Sequence, residues 1–218
     1  MTDAILAQLL ESPKLNVVFA QLQRIVSEEQ ARREHFHATL REDEKSEFIN
    51  GEVIVQSPAK LRHNLASHNL AMLLNAYVRK HKLGLVGHEK LLTALTRNDY
   101  EPDVCFFAAD KAGAFQPYQM IFPAPDFVTE VLSPSTEAID CGVKFEDYAA
   151  HGVDEYWIID PDHERIEQYL LEGDVYQLAF KADSGVVRSR AVAGFATPVR
   201  AVFDEAENLA ALVRIVEG

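Results

Sequence analysis

Long apolar runs, paired cysteines and positive charge are what this sequence has little of. No stretch approaches the roughly 18–20 uninterrupted apolar residues that a membrane span requires. The opening MTDAILAQLLESPKL also lacks a basic region followed by a long apolar run. The expectation is a soluble, unexported, cytoplasmic protein that does not engage a membrane. Cysteine occurs twice, at Cys105 and Cys141, with neither a disulfide framework nor a metal-ligand spacing. Positive charge is scarce: 21 Lys and Arg stand against 34 Asp and Glu, a formal net charge of −13. Avid nonspecific nucleic-acid binding draws its affinity from phosphate neutralisation, so this balance argues against it and leaves room only for a local basic patch. No Gly-rich phosphate loop, GxSxG elbow or HExxH pair is present, which disfavours a nucleotide hydrolase, an α/β-hydrolase and a zincin. What remains is 48% hydrophobic residues over 218 positions, enough for one sizeable core without staples.

The chain divides by texture. Residues 1–44 read as a helical arm, with Val17, Val18, Phe19, Leu22, Ile25 and Val26 at mostly helical intervals, followed by the charged run SEEQARREHFHATLREDEK. That run suits a solvated helix face with i,i+4 pairs, and a dimerisation arm is the sharper alternative. Residues 45–218 read as the globular domain. EFINGEVIVQ places β-branched residues around Asn50-Gly51, the signature of a tight hairpin. Ser57-Pro58 stops it, and Leu65, Leu70, Leu73, Leu74 and Tyr77 then mark a core helix expected to close at Gly84. Two short strand-like runs should flank a turn at Asn98-Asp99. DFVTEVL reads as a strand, followed by one helix from Thr136 or Asp140 to about His151, stopped by Gly152. EYWIID and RIEQYLLEGDVYQLAF read as further strands, with short strands and a helix at the end. The order predicts an α/β (α+β) domain around a mixed sheet.

Two acids carry the chemistry. Asp103 opens the strand-like DVCFF, and Glu130 closes DFVTEVL. Burying carboxylates close together is costly unless a cation or proton offsets the charge, so strand-end acids suggest a divalent metal, with unrelated exposed acids as the alternative. Hard oxygen ligands without cysteines favour Mg²⁺ or Mn²⁺ over a structural zinc. Lys144, one helical turn before Tyr148, offers an ammonium for orienting water or offsetting charge, unless it is a surface lysine. Arg62 and His63 at the start of the core helix are candidates for substrate phosphate, against a solvated or capping role. His68, His81 and His88 form no ligand pattern. Arg79-Lys80-His81-Lys82 reads as favourable charge at a helix C-terminus rather than a nucleic-acid footprint.

These residues resemble a known family. The hairpin from Glu47 to Glu52, Ser57-Pro58, Arg62-His63, Pro102-Asp103-Val104, PDFVTEVLSPST, KFEDY and GVDEYWIIDP are similar, in that order, to the motifs of the Uma-type family of restriction-endonuclease-like proteins. That family lies within the PD-(D/E)XK nuclease superfamily, and the resemblance covers residues 46–203. It implies a restriction-endonuclease-like mixed sheet flanked by helices, with Asp103 and Glu130 holding Mg²⁺ for phosphodiester hydrolysis and Glu47 as an upstream acid near the metal. The superfamily usually places lysine two residues after the second acid. Leu132 stands there, and the family's helix lysine corresponds to Lys144. The leading expectation is a Mg²⁺-dependent DNA endonuclease, working as a homodimer. The alternative is a nuclease fold that no longer cuts and serves as a binding or regulatory module. RNA or a smaller phosphodiester is a third substrate class.

Overall fold

The computed structural model describes residues 2–218. Two helices come first, α1 (Thr2–Leu10) and α2 (Leu15–Ala38). The hairpin β1 (Ser46–Ile49) and β2 (Glu52–Val55) leads to helix α3 (Leu61–His81). Next come β3 (Gly84–His88), β4 (Leu92–Ala94), β5 (Asp99–Tyr100) and β6 (Val104–Ala108). The short helix α4 (Ala109–Ala112) and β7 (Ile121–Phe122) precede β8 (Phe127–Val131). Helices α5 (Glu137–Asp140) and α6 (Val143–Ala150) follow, then β9 (Glu155–Asp160), β10 (Arg165–Glu172) and β11 (Val175–Ala182). The chain ends with β12 (Val186–Arg188), β13 (Ala196–Pro198), α7 (Arg200–Phe203) and α8 (Glu205–Glu217).

The strands form a six-stranded sheet, order β11-β10-β9-β8-β6-β3, a five-stranded sheet, order β2-β1-β5-β4-β7, and the ribbon β12-β13. Both larger sheets are mixed: β8 runs parallel to β9 and β4 parallel to β7, the other pairs being antiparallel. Side chains alternate between faces along a strand. In the six-stranded sheet Val104, Phe106, Phe127, Trp157 and Ile159 point to one face, into the core that includes Leu70, Leu73 and Leu74 of α3 and Ala211 of α8. Cys105, Phe107, Val128, Tyr156 and Ile158 point to the other, against Tyr148 and Ala149 of α6. Trp157 is fully buried edge-on to Phe127, so it faces the covering helices of its own chain.

The hairpin forms as its sequence predicts, with Asn50 (φ 51°) and Gly51 (φ 87°) both left-handed. Three boundaries differ. The core helix ends at Lys82, which takes the left-handed position, while Gly84 opens β3 so close to β6 that a Cβ there would lie 2.0 Å from the Phe107 carbonyl oxygen. The tight turn spans Leu95 to Asn98, the Leu95 amide donating to the Asn98 carbonyl at 2.9 Å, and Asp99 belongs to β5, fully buried. The single helix expected before His151 is broken at Cys141-Gly142 into α5 and α6.

The arm is of two kinds. The C-terminal half of α2 docks on the five-stranded sheet: Phe36 stacks on Phe48, and the Arg33 guanidinium forks onto Asp99 at 2.6 and 2.8 Å. His37 Nε2 lies 2.9 Å from the same carboxylate, and Arg97 pairs with Glu29. This half of α2 supplies core, which its charged sequence disguised. Among the described residues no helix is long and apolar enough to cross a membrane.

Candidate active site

Sheet register brings the two acids together. In the antiparallel pair β6–β8, Val104 faces Thr129 and Cys105 faces Val128. Continuing one step sets Asp103 across from Glu130, on the sheet face that α6 covers. Directly opposed like charges destabilise a sheet, so both carboxylates need partners. They find different ones.

Glu130 turns toward Lys144. The Lys144 ammonium, 2% exposed, lies 2.9 Å from Glu47 Oε1, 3.1 Å from Glu130 Oε1 and 3.2 Å from Asp140 Oδ1. Asp140 stands one helical turn before it, and Glu47 reaches in from β1. The Tyr148 hydroxyl donates to Glu130 Oε1 at 3.2 Å, and the Lys144 Nζ sits 5.7 Å from the Tyr100 ring centre. Glu47 is fixed from two more sides: the Glu101 amide donates to Oε1 and the Gln56 side-chain amide to Oε2, both at 2.9 Å. Burial and the neighbouring carboxylates push the Glu130 pKa well above its ordinary value, despite the nearby ammonium. Burial opposes the charge on Lys144, but Glu130, Glu47 and Asp140 outweigh it and hold its proton firmly.

Asp103 turns toward donors. Lys45 Nζ lies 2.8 Å from Oδ1, the Val131 amide donates to Oδ2 at 2.8 Å, and His63 Nε2 lies 3.3 Å from Oδ2. Burial would raise the Asp103 pKa, yet His63 and Lys45 overcome it and hold it well below the carboxylate range. The same contact raises the His63 pKa against the effect of burial. Glu101, whose Oε2 is buried without a hydrogen-bond partner, is pushed up to about 7 by that burial.

The cluster forms the base of a cleft of about 530 Å³ whose lining includes Lys45, Glu47, His63, Asp103, Asp140 and Lys144. Glu47, Asp103, Glu130, Lys144 and His63 thus meet at one place. Arg62 does not: it points away to Asp162, 2.5 Å distant, with both side chains nearly half exposed. Successive helix residues diverge by about 100°, so the Arg62-His63 pair is split, one to solvent and one to the acids. The sequence reading missed Lys45, Asp140 and Tyr148 as site residues. The signals existed: Lys45 is two residues before Glu47, and Asp140 and Tyr148 flank Lys144 at i−4 and i+4.

The donor set suits a hard divalent cation. Four carboxyl groups (Glu47, Asp103, Glu130 and Asp140) face two lysines, and burial together with this crowding raises the pKa of Glu130 and Asp140, so a proton or a cation is needed to offset the remaining charge. Among the described residues, no group of three or more His, Cys, Asp or Glu is arranged as a ready-made ligand set. Magnesium does not need one, being held commonly by one or two carboxylates with water completing its shell. In this structure the Asp103 carboxylate is taken up by Lys45, His63 and the Val131 amide, and Glu130 by Lys144 and Tyr148.

The sequence model of the family Uma2, described as "Putative restriction endonuclease", matches residues 33–200, more than three quarters of the chain. The chain belongs to the Uma2 family. The matched span contains every residue of the cluster and omits α1 and α2 up to Arg32. The Synechocystis sp. protein sll1609, described as uncharacterized, is 34% identical over 134 residues, which are 60% of this chain and 75% of that protein. A crystal structure of "a putative nuclease belonging to DUF820" from Anabaena variabilis ATCC 29413 matches with a TM-score of 0.63 at 19% identity, covering 75% of this chain and 90% of that one. At that identity the likeness shows the fold, which is nuclease-like. In this Uma2 chain Leu132, two residues after Glu130, packs among the apolar side chains on the α6 side of the sheet, and an ammonium reaches Glu130 from α6.

Proposed function

We propose that this Uma2 protein is a Mg²⁺- or Mn²⁺-dependent endonuclease that hydrolyses DNA phosphodiester bonds. The observation that carries the proposal is the convergence of Glu47, Asp103 and Lys144 in the lining of one cleft, with Glu130 buried against Lys144 behind it and carboxyl groups outnumbering lysines. Asp103 and Glu130 would hold the ion. A bound divalent cation supplies Lewis acidity for attack on phosphorus and makes water more acidic.

The chain's own groups divide the remaining work. Lys144, sealed beneath the cleft, is a positioning residue: it draws Glu47, Glu130 and Asp140 to fixed places and keeps its proton throughout. Lys45 and His63 lie nearer the opening, with side chains 17% and 13% exposed against 2% for Lys144. They hold the Asp103 carboxylate in the free protein, and their N–H groups are the donors nearest an entering phosphate. This reverses the role expected of Lys144 from sequence, giving the substrate-facing charge to Lys45. Lys45, Lys60 and His63 line the cleft alongside Glu89, Glu47, Asp103 and Asp140, so they would give DNA phosphates local donors in an otherwise acidic protein.

Cleavage of supercoiled plasmid and labelled oligonucleotides in Mg²⁺ and in Mn²⁺, with Asp103→Ala purified in parallel, tests the proposal. Cutting by the wild type alone supports it, and preferential cutting of RNA would move the substrate class. A second reading, a nuclease fold that binds without cutting, is favoured by the lack of a ready-made ligand set among the described residues. No cutting by either protein, with no metal-dependent change in melting temperature, would select that reading.

A further inference from the structure

Helix α2 carries one continuous stripe with two fates. Leu15, Leu22, Glu29 and Phe36 recur every seven residues, and Phe19, Val26 and Arg33 run beside them at the same interval. Such a spacing keeps residues on one side of a helix. The C-terminal members are covered by the protein's own body: Phe36 is 5% exposed, Glu29 binds Arg97 and Arg33 binds Asp99. Beyond the half-buried Leu15, the N-terminal members of the stripe are left uncovered. Phe19 is 56% exposed, Leu22 48%, Ile25 49% and Val26 61%. A groove of about 620 Å³ runs along this uncovered half, between Leu22, Ile25 and Val26 on one side and the Thr96-Arg97 turn on the other.

The exposed half is self-complementary. Reversing its direction about a point between Ala20 and Gln21 superposes Leu15 on Val26 and Phe19 on Leu22. The same reversal brings Lys14 within one residue of Glu28, the basic and acidic residues bracketing the stripe. Glu28 is otherwise engaged only loosely, 3.9 Å from Arg24 in an exposed pair. Val17 falls on Arg24 and Ile25 on Asn16 in the same reversal, so the strip Leu15, Phe19, Leu22 and Val26 is the part that matches its own inverse, as a two-fold, isologous contact requires.

We infer that the first half of α2 pairs antiparallel with the same segment of a second copy of this chain, about a two-fold axis near Ala20 and Gln21. Leu15 then meets Val26 of the partner subunit, Phe19 meets Leu22 of the partner subunit, and Lys14 lies beside Glu28 of the partner subunit. The chain direction carries the partner subunit's α1, with its own exposed Ile5, Leu6 and Leu10, toward the groove at Thr96-Arg97. The helix-to-helix seam, residues 14–28, lies outside the span that matches the Uma2 family and does not depend on the metal or on catalysis.

Light-scattering mass measurement on the full chain at micromolar concentration tests this, with far-UV circular dichroism and the melting temperature as fold controls. The wild type should give twice the chain mass, and Leu22→Glu with Ile25→Glu should give the chain mass with the body still folded. Lys14→Glu and Glu28→Lys should each weaken the dimer, and the two together should restore it, because the swapped charges again face each other across the two-fold. A wild type that stays monomeric, a dimer indifferent to Leu22→Glu with Ile25→Glu, or a double charge swap no better than the single ones would overturn the inference.

Discussion

The two halves of the site are opposites. Around Lys144 one cation holds three carboxylates, whereas around Asp103 one carboxylate takes three donors, Lys45, His63 and the Val131 amide. They are joined through adjacent residues of β8: the Glu130 side chain serves the first group and the Val131 backbone the second. Burial is common to both, so it does not set the outcome. The ratio of partners does, raising the Glu130 pKa and lowering that of Asp103. Environments that drive two neighbouring carboxylates apart are a mark of chemical sites. The Lys144 side is short of positive charge and sealed, and the Asp103 side is saturated and open to the cleft.

The largest break in that comparison comes from Lys144→Met. Removing one partner of a buried ion pair costs about 3–5 kcal/mol, and here three carboxylates lose their only shared cation. Urea unfolding should show a loss of that order, and an unchanged midpoint would mean that Lys144 does not organise the acids. Lys45→Met is the milder counterpart, because Asp103 keeps His63 and Val131. Its stability loss should be smaller, and Mn²⁺ should bind more tightly by calorimetry, since no ammonium competes for the carboxylate. Weaker binding would show that Lys45 assists the ion.

Glu130→Gln sharpens the difference in pKa. With its folded pKa raised, Glu130 keeps its proton to higher pH in the folded chain than in the unfolded one, so its contribution favours folding less as pH rises from the ordinary carboxylate range toward the raised value. The metal-free Gln variant should melt at the wild-type temperature or above it near neutrality, and its advantage should shrink on acidification. A lower melting temperature at neutral pH would contradict the crowding of acids. The smallest effect belongs to Arg62→Ala. Its pair with Asp162 is nearly half exposed, so stability should change by less than about 1 kcal/mol. Metal affinity should not move at all.

The fold was legible where a local rule speaks alone. Asn50-Gly51 dictates its hairpin, and the β-branched and aromatic run of DFVTEVL reads as a strand, in which Glu130 must face opposite to Thr129. The facing of Asp103 and Glu130 was visible only as two strand-end acids, because register between distant strands is a tertiary fact. Arg62 and His63 were indistinguishable as neighbours in sequence, until a helix turned one toward the acids and the other toward Asp162. Lys144 was named for its chemistry, but its burial among three carboxylates needed Glu47 and Asp140 from separate elements. The charged second half of α2 concealed a docking face, since Arg33 and His37 are surface-type residues that reach the buried Asp99, and Glu29 is itself buried beneath Arg97.

The most direct test of the account is Mn²⁺ binding to the metal-free protein, followed by electron paramagnetic resonance in the wild type, Asp103→Ala and Glu130→Gln. The excess of carboxylates over lysines predicts a single tight ion in the wild type, lost in both variants while each remains folded. An ion bound equally by all three proteins, or by none of them, would contradict it.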